Sequence, residues 1–152
     1  MKKILIVLMT LVLAACTAVG SAMGSQSEIE QNKEKWQDQG ISHYRYNLHI
    51  SCFCVFVENM PLVIEVQDGE VVSMEFQNGA EIDPSLHELF DKYATIDRLF
   101  AEIEAGLNGA ADKVTVEYDA TYGFPTKADF DFEEMAIDDE LYLTISDFEA
   151  LP

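Results

Sequence analysis

Positive charge is what this chain has least of. Nine Lys and Arg stand against 28 Asp and Glu, for a net charge of −19. Phosphate recognition needs a basic footprint, so nucleic acid is excluded as a partner. Cysteine is also scarce, at three, and the folded part is long enough to hold a real core without depending on disulfides. No long apolar stretch is present: the longest, Ile4 to Ala15, has twelve residues, short of the roughly 20 that a spanning helix requires. The familiar catalytic signatures are missing too. There is no G-x-S-x-G elbow, no H-E-x-x-H, no phosphate-binding glycine loop and no dinucleotide fingerprint. These absences favour a non-enzymatic domain with no cofactor.

The N-terminus reads as an address. Met1-Lys2-Lys3, the short apolar run and the small residues after it describe an export signal. Its junction, Leu13-Ala14-Ala15-Cys16, resembles the bacterial lipobox, in which the thiol is diacylated and the peptide is cut just before it. The expectation is a signal peptide over 1–15 and a mature chain starting at a lipidated Cys16. Each acyl CH₂ contributes about 0.8 kcal/mol, and two chains make a stable anchor. Thr17 is not the Asp associated with inner-membrane retention, so a host with an outer membrane would hold the protein on its periplasmic face. Residues 16–27 are mostly Ala, Gly, Ser and Thr, a flexible tether by composition. The remainder, 28–152, has the size of one domain.

Removing Lys2 and Lys3 leaves seven bases against 28 acids, a net charge of −21. Adsorption on anionic lipid is disfavoured, which leaves the lipid on Cys16 as the membrane link. Solubility through self-repulsion is the expected reading of the acidity, ahead of a basic partner or divalent cations, which nothing in the sequence indicates.

Within the domain, His43 to Val57 alternates with period two. Tyr44, Tyr46, Leu48, Ile50, Cys52, Cys54 and Phe56 form one row, and Arg45, Asn47, His49 and Ser51 the other. Fifteen residues exceed the usual strand of about 5–6, which predicts a bend or bulge near the cysteines. Ahead of it, Glu28 to Gln39 predicts a helix ending at Gly40, with Ile29 and Trp36 docked on the sheet. Leu62 to Gln67 and Glu70 to Gln77 predict a hairpin. A three-residue loop, Gln67-Asp68-Gly69, would pair Ile64 with Val72 and Leu62 with Met74. Helical spacing covers about 85–93 and 96–107, the second capped by Thr95. Three further strands carry the inward rows Val114, Val116, Tyr118; Ala128, Phe130, Phe132; and Leu141, Leu143, Ile145. The predicted class is α+β: an antiparallel sheet of about six strands in two three-stranded runs, with helices packed on one face.

Three groups could carry chemistry. Cys52 and Cys54 sit at i and i+2, about 6.6 Å apart on a regular strand, whereas a disulfide wants Cβ atoms about 3.5–4.5 Å apart. Three states are open to them: a disulfide across a local kink, inert buried thiols, or a redox-active or metal-binding pair. His43 and His49 share the outward row about 20 Å apart, and surface positions are expected for them and for His87. Asp129 to Glu140 holds seven carboxylates and no base. Asp129, Asp131 and Glu133 would form an outward row, a solvated edge rather than a calcium loop, which would need a turn glycine. No metal ligand set follows.

One ordered series runs through the domain: Trp36, Gly40-Ile41, Tyr44, Cys52-x-Cys54, Asp68-Gly69, Leu99-Phe100, Tyr122-Gly123-Phe124-Pro125 and Asp138-Asp139-Glu140. It resembles a bacterial family, mostly of lipoproteins, catalogued as domain of unknown function 6174. The resemblance implies that the C-x-C pair and the Y-G-F-P turn belong to the family framework, and it implies no activity or catalytic residue. The expected function is a lipid-anchored envelope domain that binds or scaffolds an envelope protein or small ligand. The alternative is a redox-active or metal-handling lipoprotein using Cys52 and Cys54.

Overall fold

The structure, a computed structural model, describes residues 25–152. The signal peptide over 1–15 and the lipidation site Cys16 lie outside the described residues. Ser25 caps the first helix, α1 (Gln26–Asp38), its hydroxyl accepting from the Glu28 amide at 3.2 Å. Gln26 and Ser27, assigned by composition to the tether, therefore belong to the helix. The helix stops where Gly40 takes a φ of +62°, the left-handed conformation that glycine adopts without steric cost. Ile29 and Trp36 are buried from its inner face.

Two meanders follow. The first is β1 (His43–Ser51), β2 (Leu62–Gln67) and β3 (Glu70–Phe76). Two helices, α2 (His87–Asp91) and α3 (Ile96–Ala105), intervene before β4 (Lys113–Tyr118), β5 (Pro125–Asp131) and β6 (Leu141–Ala150). All six strands form one antiparallel sheet in the order β3-β2-β1-β6-β5-β4. The first and last strands are thus its centre. One face carries Tyr44, Tyr46, Leu48, Ile50, Leu62, Ile64, Leu143 and Ile145 into the core beneath the helices. The other exposes Arg45, His49, Thr144 and Ser146. The α+β class and the two three-stranded runs are as the sequence predicts.

Two bulges alter the predicted register. Gln67 pairs with Glu70, so the β2–β3 loop is the two residues Asp68-Gly69, both at positive φ (52° and 81°). Such a loop alone would put the two apolar rows on opposite faces. A register shift after Glu65–Ser73 skips Val72 and restores parity, pairing Ile64 with Met74 and Leu62 with Phe76. The expected three-residue loop is corrected: the extra residue sits in the strand, and Val72 is left 52% exposed. In β6 the register against β1 shifts between Ser146 and Glu149. There Asp147 adopts a φ of 52° and accepts a 2.7 Å hydrogen bond from Asn47. Past this bulge the inward row resumes at Phe148, which stacks into the Trp36, Tyr44 and Phe124 cluster.

The helical layer is tied down by polar contacts. Tyr46 donates its hydroxyl to the Tyr93 carbonyl, and the Tyr44 hydroxyl accepts from the Ile96 amide, both at 3.1 Å. Thr95 caps α3 through its hydroxyl, bonded to the Arg98 amide. The Tyr122-Gly123-Phe124-Pro125 turn packs against α1. Gly123 has a φ of +86°, and a Cβ there would lie 2.6 Å from the Asn32 carbonyl oxygen and 3.0 Å from Lys35 Cβ. Both conformation and space demand glycine. Gly123→Ala is expected to cost about 2–3 kcal/mol, lowering the thermal midpoint by about 10 °C in a circular dichroism melt; an unchanged midpoint contradicts this packing.

Candidate functional site

The strand β1 ends at Ser51, not at Val57. The chain then doubles back: the Cys54 amide bonds the Cys52 carbonyl at 2.8 Å, and the two Cα atoms lie 5.2 Å apart, closer than extended backbone allows. The sulfurs stand at bonding distance, 2.02 Å. Of the three states left open by the sequence, the structure contains the disulfide across a kink. Beyond it Phe56 returns to the core, edge-on to Phe90 at 4.9 Å, and this leaves Phe53 and Val55 pointing outward, 86% and 94% exposed.

The 132–140 segment stands beside this loop, because Ser51 pairs with Tyr142 at the start of β6. Strand β5 ends at Asp131, so Glu133 falls outside the predicted outward row, which keeps only Asp129 and Asp131. Phe132, expected inward, stacks on Phe130 at 5.9 Å yet remains 42% exposed. Two carboxylates fold the loop: Asp139 accepts from the Glu133 amide at 2.6 Å, and Asp112 from the Glu134 amide at 3.0 Å. Asp129 pairs with Lys127 at 2.9 Å. Met135 and Ile137 project from the loop at 90% and 87% exposure.

Between the two loops lies an open groove of about 280 Å³. Ile50, Phe56, Leu89, Tyr93, Phe132 and Leu141 give it an apolar lining, the disulfide and Phe53 form one lip, and Asp138 to Glu140 form the other. No lysine or arginine lines it. A hollow of about 360 Å³ at the other end of the sheet is bordered by Tyr122, Phe124 and Phe148, the aromatic packing that seats the turn on α1. Sequence reasoning found the cysteines but not the groove. Its signal was present in the break of alternation at Phe53 and Val55 and in two large apolar residues set among carboxylates.

The histidines are not brought together. His49 and His87 are exposed. His43 stays at the surface but has partners there: Nε2 lies 2.9 Å from Glu65 and Nδ1 3.1 Å from the Pro152 carbonyl. Two acceptors require two N–H groups, which favours the imidazolium. The Glu65 hydrogen bond, followed by that to Pro152, raises the His43 pKa above 6.5. Among the described residues no group of three or more His, Cys, Asp or Glu is arranged to hold a metal ion, and no helix is long and apolar enough to cross a membrane.

Two outcomes are expected. Because the folded pKa of His43 is raised, its pair stabilises the protein fully below pH 6.5 and progressively less as pH climbs through the folded pKa. Urea midpoints measured from pH 6 to pH 9 should fall in the wild type and lose that component in His43→Gln; parallel curves contradict the pairing. The Cys52–Cys54 link closes so short a loop that chain entropy gives it about 1.5 kcal/mol at most. Cys52→Ser/Cys54→Ser should therefore unfold near the wild-type midpoint, with amide shifts confined to 51–60; shifts throughout the sheet contradict a purely local role.

No curated protein and no solved structure matches the chain. Residues 28–150 match the model of a family described as a family of unknown function (DUF6174), and the chain belongs to that family.

Proposed function

We propose that this chain is a lipid-anchored protein of the cell envelope whose domain binds a partner rather than catalysing a reaction, through the groove between the disulfide loop and the 132–140 loop. The observation that carries the binding role is an apolar groove with exposed Phe53 on its lip, set between two loops that also expose Val55, Met135 and Ile137. Clustered large apolar side chains held in water mark interaction sites. The anchoring role draws its support from Leu13-Ala14-Ala15-Cys16.

The chain enters the described domain at the groove's end of the sheet. Gln26 donates to Asn108 at 2.9 Å. The turn holding Asn108 borders a small cleft shared with Phe132 and Leu141, which also line the groove. Eight residues lie between Cys16 and Ser25, and the nine Cα–Cα steps across them span about 32 Å at the very most. An acylated Cys16 would therefore keep the groove close to the bilayer.

A second reading is favoured by the half-buried place of both sulfurs on the groove's lip: a redox-active or metal-handling domain working through Cys52 and Cys54. Thiol titration with metal analysis of the exported protein separates the two, since unreactive sulfurs and no bound metal eliminate the second. The main reading predicts labelled palmitate on the wild-type chain and none on Cys16→Ser, which should leave the membrane fraction. A photoreactive phenylalanine analogue at position 53 should form an adduct in intact cells where one at position 72 does not. An unlabelled precursor in the cytosol sinks the anchoring role, and equal or absent adducts at both positions sink the binding role.

A further inference from the structure

We infer that the groove's partner is a basic polypeptide segment presenting one large apolar side chain, a reading that rests on the groove being the binding site proposed above. The apolar half of the recognition is supplied by the groove and by Phe53 on its lip, with Val55, Met135 and Ile137 exposed on the same two loops. An incoming apolar side chain would lie against Phe56, Leu89 and Leu141 in the groove.

Charge selects among the occupants such a surface could take. Asp138, Asp139 and Glu140 line one side of the groove, Glu133 and Glu134 stand earlier on the same loop, and that loop carries no base. A second copy of the chain would bring a further large negative charge to the same place, and anionic lipid would be repelled for the same reason. A lysine- or arginine-bearing segment is instead drawn in, its cations meeting carboxylates that have no basic neighbour along the 132–140 loop. Glu133, Glu134 and Asp138 are exposed on that loop. The loops are also held in advance, one by the Cys52–Cys54 link and the other by the Asp139 and Asp112 hydrogen bonds. Little ordering entropy is then lost on binding.

The experiment is a titration of the isotopically labelled mature chain, followed by amide NMR shifts, with a short amidated lysine peptide carrying one central tryptophan. Parallel titrations use the same peptide with glycine at its centre and with glutamates in place of lysines. The tryptophan–lysine peptide should shift amides within 51–56 and 131–141. The other two peptides, and the Phe53→Ser/Met135→Ser variant, should bind about tenfold more weakly or worse. Val72→Ser, which removes an exposed apolar side chain elsewhere, should bind within about twofold of wild type. Equal binding of the glycine-centred peptide, shifts spread over the whole acidic surface, or no binding overturns the inference. So does partitioning onto phosphatidylcholine vesicles that Phe53→Ser/Met135→Ser abolishes, which would assign the loop tips to lipid. An adduct from position 53 in cells with no peptide binding overturns the basic partner alone. Peptide binding without an adduct overturns the binding role in the cell and leaves the groove's chemistry standing.

Discussion

Two phenol hydroxyls on the central strand join the helical layer to the sheet. Ile96 opens α3, so its amide has no acceptor within the helix, and the Tyr44 hydroxyl takes that place. Tyr46, one pleat on, satisfies the carbonyl of Tyr93. A buried backbone group left without a partner costs about 1–3 kcal/mol, so these contacts set where the helix can begin. Burial pushes the Tyr44 pKa up to about 12 and raises that of Tyr46 well above the ordinary phenol value, which keeps both as neutral hydroxyls. With its start fixed, α3 lays Leu99, Phe100 and Ile103 into the core. The same Tyr44 ring receives the edge of Trp36 at 5.3 Å, so α1 is located by the residue that locates α3.

The groove follows from the same strand. Tyr93, held by Tyr46, and Leu89 from α2 close one side of it, while Ile50, three residues beyond Asn47 on β1, forms part of its lining. Where β1 stops, the cysteine link turns the chain outward, and the neighbouring start of β6 brings the acidic loop alongside. The rigid part of the domain thus ends in two loops whose backbones are tied and whose apolar tips are not.

Much of this frame was legible in the residues, because period-two and helical spacing survive wherever one face is buried. Tyr44, Tyr46, Leu48 and Ile50 turn inward as their alternation requires, Trp36 is core, and Thr95 caps the helix that it precedes. The misses share a cause. A bulge adds one residue, which a single strand's alternation records only as an interruption: Ile145 to Phe148 is three steps, and Val72 looks inward until its partner strand is known. Distance along the chain hid the rest. His43 meets Glu65 and Pro152, and the disulfide loop meets the 132–140 loop, only after the sheet has assembled. The carboxylates of that second loop drew the eye from Met135 and Ile137, whose exposure is a property of the folded surface.

The strand order has a consequence for how the molecule comes to exist. Strands β1 and β6, the first and last to leave the ribosome, are neighbours at the middle of the sheet. Until the final strand is synthesised, each meander has an open flank and the tyrosine-bearing strand is paired on one side alone. The complete sheet therefore closes only once β6 can pair with β1, a contact between the two ends of the domain, and such long-range pairing slows folding.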